Sequence, residues 1–122
     1  MLTTIQDVGR PGWRAAGVPL GGAMDALALR LANLLVGNAE NCAGLEITQT
    51  GPELEFSVDV LVAAVGPRLE QLEPGRPQVV RGREPWAPGR LLQGCRGWLA
   101  IAGGLQVPEI LGGRGTDLRA GW

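Results

Sequence analysis

Glycine and proline interrupt this chain so often, 20 and 9 times in 122 residues, that almost nowhere is there room for a helix. The exception is Asp25 to Val36 (DALALRLANLLV), which holds no Gly, no Pro and no β-branched residue before its last position. Asp25 is a good N-cap, and Gly37 is placed to adopt the left-handed conformation that stops a helix. One helix is therefore expected here. Only Arg30 and Asn33 break its apolar surface, which predicts a helix nearly surrounded by protein, with one narrow polar stripe.

Elsewhere the punctuation is spread singly and in pairs, as short strands joined by tight turns require. Strands are expected at Leu2 to Ile5, Gly44 to Thr48 (GLEIT), Glu53 to Phe56, Val58 to Val65, Arg90 to Gln93 and Gly97 to Ala102 (GWLAIA). The run VDVLVAAV is apolar enough for a central strand. Pro67 to Pro88 holds five of the nine prolines and reads as an irregular excursion with short edge strands. At this length the chain is one domain or part of one, since domains cluster at roughly 100 to 150 residues.

The missing residue types exclude whole chemistries. The chain has no His, Lys or Tyr, and all eleven basic residues are Arg. Imidazole-based nucleophile pairs and zinc sites are excluded for this chain, as are Schiff bases, a P-loop lysine and a lysine bearing biotin. Cys42 and Cys95 show no metal or redox spacing and are expected to be buried free thiols, so no metal site is expected. Eleven basic against twelve acidic residues give a formal charge of -1, which offers nothing to a nucleic acid or an anionic membrane. With no signal-like opening and no apolar run near the roughly 18 residues of a spanning helix, a cytoplasmic location is expected.

Two segments are candidates for binding. Gln6 to Gly22 (QDVGRPGWRAAGVPLGG) holds five glycines between a strand and the helix, so its backbone can approach a ligand closely or simply form an ordered loop. Asp25, at its end, serves as a cap or orients a substrate. Gly103-Gly104 and Gly112 to Thr116 (GGRGT) with Arg114 either form turns or make a nest for a carboxylate or phosphate. Glu46, alternating with Leu45 and Ile47, faces away from them, either outward or into a site.

Taken together, TTIQDVGRPGW, GVPLGGAMD, ALRLANLLVGN, LEIT, TGPELEF, GWLAIAGG, VPEILGGRGT and LRAGW resemble, in order and spacing, the KipA-like family. That family includes the C-subunit of prokaryotic 5-oxoprolinase, allophanate hydrolase subunit 2 and the carboxyltransferase domain of urea carboxylase. The resemblance implies a mainly β, cyclophilin-like barrel with one buried helix, of which this chain holds the N-terminal part and which is therefore incomplete. It further implies a KipI-like B-subunit and a third 5-oxoprolinase subunit as partners, with ATP used by the assembled complex to open 5-oxoproline to glutamate. The alternatives are a non-catalytic KipA-type regulator that binds a kinase inhibitor, and a carboxyltransferase domain of a biotin-dependent urea carboxylase. All share the binding of a small amide-like molecule. Carried over position by position, Asp25 and Asn33 would orient substrate and Arg114 would meet an acidic group, with Gln6, Asp7, Arg10, Glu46 and Arg119 completing the binding residues. Gly113 and Gly115 stand where the family pattern GSRST has serines, and Asp117 stands for its tyrosine. An incomplete barrel would leave the apolar strands Val58 to Val65 and Trp98 to Ala102 with an open face or edge, so self-association of the isolated chain is expected.

Overall fold

A computed structural model describes residues 2–122. Seven strands and one α-helix follow one another as β1 (Leu2–Gln6), α1 (Ala26–Leu35), β2 (Gly44–Thr48), β3 (Leu54–Glu55), β4 (Val60–Val65), β5 (Gln78–Val80), β6 (Pro85–Trp86) and β7 (Arg96–Ile101). Five form an antiparallel sheet in the order β1-β2-β7-β4-β5, and β3 pairs with β6 in a separate ribbon. The architecture is mostly β with one helix, as expected. The sheet stays open, with β1 and β5 at its edges.

Alternation along the strands gives the sheet two unlike faces. Leu45 and Ile47, Leu99 and Ile101, and Val62 and Ala64 point to one side, where Leu69, Leu72 and Val80 complete an aliphatic core. The other side presents Thr4 and Gln6, Glu46, Arg96, Trp98 and Ala100, and Ala63. Helix α1 covers the β4–β7 part of that side: Ala32 and Val36 pack on Ala63 and Ala100, and Ala28 and Leu29 pack on Trp98. Small residues on both partners let the helix lie close to the sheet.

The helix begins as its sequence demands, with the Asp25 carboxylate accepting from the Ala28 amide at 3.0 Å. It ends at Val36, and Gly37 takes a φ of +78°. Its environment differs from the expected one. Asn33 lies on the buried face, fully enclosed, while Leu27, Leu31 and Leu34 are exposed, Leu27 by 66% and Leu34 by 52%. The reason is polar satisfaction. The loop returning to β2 turns two carbonyls inward, and only an amide on the inner face reaches them, so the leucines fall outside.

Other corrections concern the strands. Arg90 to Gln93 forms only single bridges, Thr50 to Arg90 and Leu69 to Leu91, because Gly89 and Gly94 flank it closely and no neighbour runs alongside for longer. The central strand starts at Val60, since Ser57 and Val58 make a bend with Val58 exposed. Both β4 and β7 lie between two neighbours, so neither has the open edge expected of it. An exposed apolar stripe lies instead on the outer side of α1, at Leu27, Leu31 and Leu34. Cys42 is half-buried and Cys95 exposed, both as free thiols, because Cys95 sits in the Gly94 turn before β7.

Candidate functional site

Beyond the end of α1's cover, the polar face of the sheet is roofed by the glycine-rich loop. The loop is closed at its neck by backbone bonds from Ala23 to the Asp7 carbonyl (2.9 Å) and from Arg10 to the Leu20 carbonyl (2.7 Å). Gly22 makes the neck possible. Its φ is +85°, and a Cβ there would lie 2.7 Å from the Gly9 amide nitrogen. The tip, with a 3₁₀ turn over Arg14–Ala16, stands exposed.

Three buried charged side chains hold this loop. Glu46, 6% exposed, accepts from the Met24 amide (2.7 Å), Trp98 Nε1 (2.9 Å) and Arg96 Nη1 (2.8 Å). It ties the start of the helix to β7, and its burial excludes the outward-facing alternative. Asp7 accepts from the Gly9 amide (2.8 Å) through Oδ1 and from the Arg114 amide (2.6 Å) through Oδ2. Arg10, 2% exposed, donates through Nε to the Ile110 carbonyl (3.0 Å) and through Nη2 to the Gly115 carbonyl, and its guanidinium lies 5.4 Å from the Trp122 ring centre. Gln6 Nε2 donates to Thr4 Oγ1 (3.1 Å) and the Thr116 carbonyl (3.2 Å), while its Oε1 is buried without a partner.

Between this roof and the sheet lies a groove of about 390 Å³. Thr4, Gln6, Glu46 and Arg96 form its floor, Gly21 and Gly22 one wall, and Thr116 to Arg119 the other. The Glu46 oxygens are already engaged by three donors, so this carboxylate anchors Arg96 and is poorly placed to take a proton from a ligand. The groove offers an amide, two guanidinium side chains, two threonine hydroxyls, the Asp117 carboxylate and glycine backbone, which suits a small, polar, amide-like molecule. Among the described residues no cluster of three His, Cys, Asp or Glu side chains could hold a metal ion.

The structure thus brings Gln6, Glu46 and Arg119 to one groove, and Asp7, Arg10 and Arg114 to the adjoining braces. Asp25 and Asn33 stand apart on α1. Asp25 caps the helix. Asn33 donates to the Cys42 (2.8 Å) and Glu40 (3.2 Å) carbonyls and accepts from Asn38 Nδ2 (3.1 Å). Its amide is fully occupied in closing the helix-to-strand connection. The Arg114 side chain is exposed and pairs with Glu109 at 3.1 Å. Arg96, Trp98 and Trp122 were not candidates from sequence. The available signal for Arg96 and Trp98 was their alternation with Gly97 and Leu99, which puts them on the Glu46 face.

The fold and site define a mostly β domain with one helix and a polar groove on its sheet. Residues 16–122 match the family described as carboxyltransferase domain, subdomain A and B, and the chain belongs to that family. It is 41% identical over 127 aligned residues to the 5-oxoprolinase C-subunit of Escherichia coli, covering 99% of this chain and 41% of that protein. It is 40% identical over 121 residues to the urea amidolyase of Lachancea kluyveri, covering 93% of this chain and 7% of that protein. In structure it is similar to the urea carboxylase of Kluyveromyces lactis, with a TM-score of 0.86 at 39% identity over 93% of this chain and 11% of that one. The chain therefore spans about two-fifths of the 5-oxoprolinase relative and far less of the amidolyase. No helix among the described residues is long and apolar enough to cross a membrane.

Proposed function

We propose that this chain is part of the C-subunit of an ATP-dependent 5-oxoprolinase, contributing the polar groove to a site for a small cyclic amide. The observation that supports this reading is the match to a 5-oxoprolinase C-subunit, 41% identity over 99% of this chain. In this reading the enzyme is assembled in the cytoplasm with a KipI-like B-subunit and a third partner, and ATP is consumed by the assembly. The chain's own share of the work is binding and orientation. Gln6 and the guanidinium groups of Arg96 and Arg119 meet the amide and its carbonyl, and the loop held by Asp7 and Arg10 keeps bulk water from the floor of the groove.

The likeness to urea carboxylase, at a TM-score of 0.86, supports a second reading in which the same groove takes urea and receives a carboxyl group from carboxybiotin. One experiment separates them. The full-length protein that bears this chain is co-expressed with its two 5-oxoprolinase partners and assayed for glutamate release dependent on ATP and 5-oxoproline. Release is the expected result. A urea-dependent discharge of carboxybiotin without glutamate release would favour the carboxyltransferase, and a stable complex inert in both assays would leave the KipA-type regulator.

A further inference from the structure

Helix α1 has a second face that the fold does not use. Leu27, Leu31 and Leu34 follow one another at intervals of four and three residues along the side turned from the sheet, and they are 66%, 44% and 52% exposed. Met24, three residues before Leu27, is 71% exposed and continues the spacing. Alternating steps of three and four are the heptad seam on which one helix receives the side chains of another. Of the ten helical residues ALALRLANLL only Arg30 and Asn33 are polar, and Asn33 is enclosed on the inner face. The stripe is therefore a run of large aliphatic side chains bordered by a single charge.

Three observations say what kind of partner fits. The backbone of α1 is bonded within the helix and offers an incoming strand no hydrogen bonds, whereas a second helix arrives with its own backbone already satisfied. Arg30 lies three residues after Leu27 and four before Leu34, which sets it beside the stripe. It is exposed and belongs to none of the ion pairs among the described residues, and the carboxylate of Asp25 at the helix start is turned to the Ala28 amide. The border of the stripe is thus positive and is complemented by a carboxylate. A second copy of this chain is the weaker occupant. Two α1 helices packed on their stripes would set Arg30 near Arg30, and each would bring only ten residues, too few for the roughly 800 Å² per partner that a stable interface buries.

We propose that the outer face of α1 docks an amphipathic helix of another protein, with aliphatic residues at its heptad a and d positions and a glutamate or aspartate beside them against Arg30. The partner helix is longer than α1, so that it gains area beyond the stripe. This face is turned away from the sheet and lies apart from the groove. The inference therefore concerns assembly, and it stands whether or not the groove takes a cyclic amide.

The probes are two synthetic three-heptad helical peptides with leucine at a and d, one carrying glutamate at the flanking e and g positions and the other lysine. Like charges keep each from pairing with itself. Their binding to the full-length protein that bears this chain is followed by fluorescence anisotropy at low ionic strength. The acidic peptide is expected to bind about fivefold more tightly than the basic one, with the difference shrinking as salt is added. Arg30→Glu should reverse the preference, and Leu31→Asp should weaken the acidic peptide by about tenfold or more. Both positions are exposed, so the melting temperature should stay unchanged. Failure of both peptides to bind, or binding indifferent to the two substitutions, would overturn the proposal. Two further results would overturn it by naming another occupant. A Leu31→Cys thiol shielded from maleimide would mean that the full-length protein covers the stripe itself, and a concentration-dependent dimer dissolved by Leu31→Asp would give the face to a second copy. Turnover of 5-oxoproline tests the groove separately and is decided by none of these results.

Discussion

Two segments cover the same face of the sheet by opposite means. Helix α1 is held by aliphatic contact, with Ala28, Leu29 and Ala32 set on Ala63, Trp98 and Ala100. The glycine-rich loop beside it buries few apolar side chains and is held by Glu46, Asp7 and Arg10, whose partners are mostly backbone amides and carbonyls. The helix is fixed by a property spread over many residues, and each loses little by small changes elsewhere. The loop is fixed by three side chains whose removal leaves buried groups unpaired, and such groups cost more than the bond that was lost.

The largest expected effect follows from that asymmetry. Glu46→Ala removes three hydrogen bonds to a carboxylate and leaves Trp98 Nε1 buried without an acceptor, while the one-third-exposed Arg96 turns to solvent, and should cost about 3 to 5 kcal/mol. Leu29→Ala, the sharpest cut available in the helix interface, should cost about 2 to 4 kcal/mol. Urea midpoints at constant m-value measure both. If Leu29→Ala proves the more damaging of the two, the loop is held by less than the hydrogen bonds indicate.

Asp25 tests the join between the two segments. Asp25→Ala should cost about 1 kcal/mol and Asp25→Ser only a few tenths, because serine caps as well as aspartate. Loss of activity in Asp25→Ser at an unchanged melting temperature would show that the carboxylate meets substrate besides capping.

Gly115 lies against the loop's unmet acceptor. A Cβ there would sit 2.7 Å from the unpartnered Gln6 Oε1, at the end of a side chain that can shift. Gly115→Ser brings back the hydroxyl of the family pattern and should raise stability by about 0.5 to 1 kcal/mol once the amide accepts from it. Gly115→Ala brings the crowding without the donor and should lower it. Equal effects of the two would mean that the amide finds its partner elsewhere.

The smallest effect on stability is expected where the helix faces outward. Leu27→Ser with Leu31→Ser should change the unfolding free energy by no more than about 0.5 kcal/mol per site. If the isolated chain self-associates through this stripe, light scattering should nonetheless show less association than in the unaltered chain, since an exposed apolar stripe favours docking of a neighbour. Association unchanged by the pair of substitutions would move the contact to the edges β1 or β5.

The same contrast separates what could be read in the sequence from what could not. Helix α1 and the strands GLEIT and VLVAAV follow from periodicity and punctuation within a dozen residues, and they stand within two residues of where those signals put them. Arg90 to Gln93 misled because Leu91 and Leu92 satisfy a strand's composition while the chain gives them no long neighbour. The orientation of α1 was hidden for a related reason: Asn33 looks like a surface residue until the Glu40 and Cys42 carbonyls are seen to need it. For the site, Gln6 and Glu46 were recognisable as candidates, but the roles of Asp7 and Arg10 depend on partners about a hundred positions away. No local pattern encodes that distance.

That distance also orders events during synthesis. β1 can pair with β2 once residues 44–48 have left the ribosome, yet the bonds from Arg10 to Ile110 and Gly115 span 100 and 105 positions. Contacts of such separation form late, because the intervening chain must first be ordered. Until residues 110–116 emerge, the Gln6 to Gly22 loop lacks both its Asp7 and its Arg10 fastenings to that segment and stays open to proteases. A lesion in GGRGT, near the end of the chain, would therefore be felt as a frayed beginning.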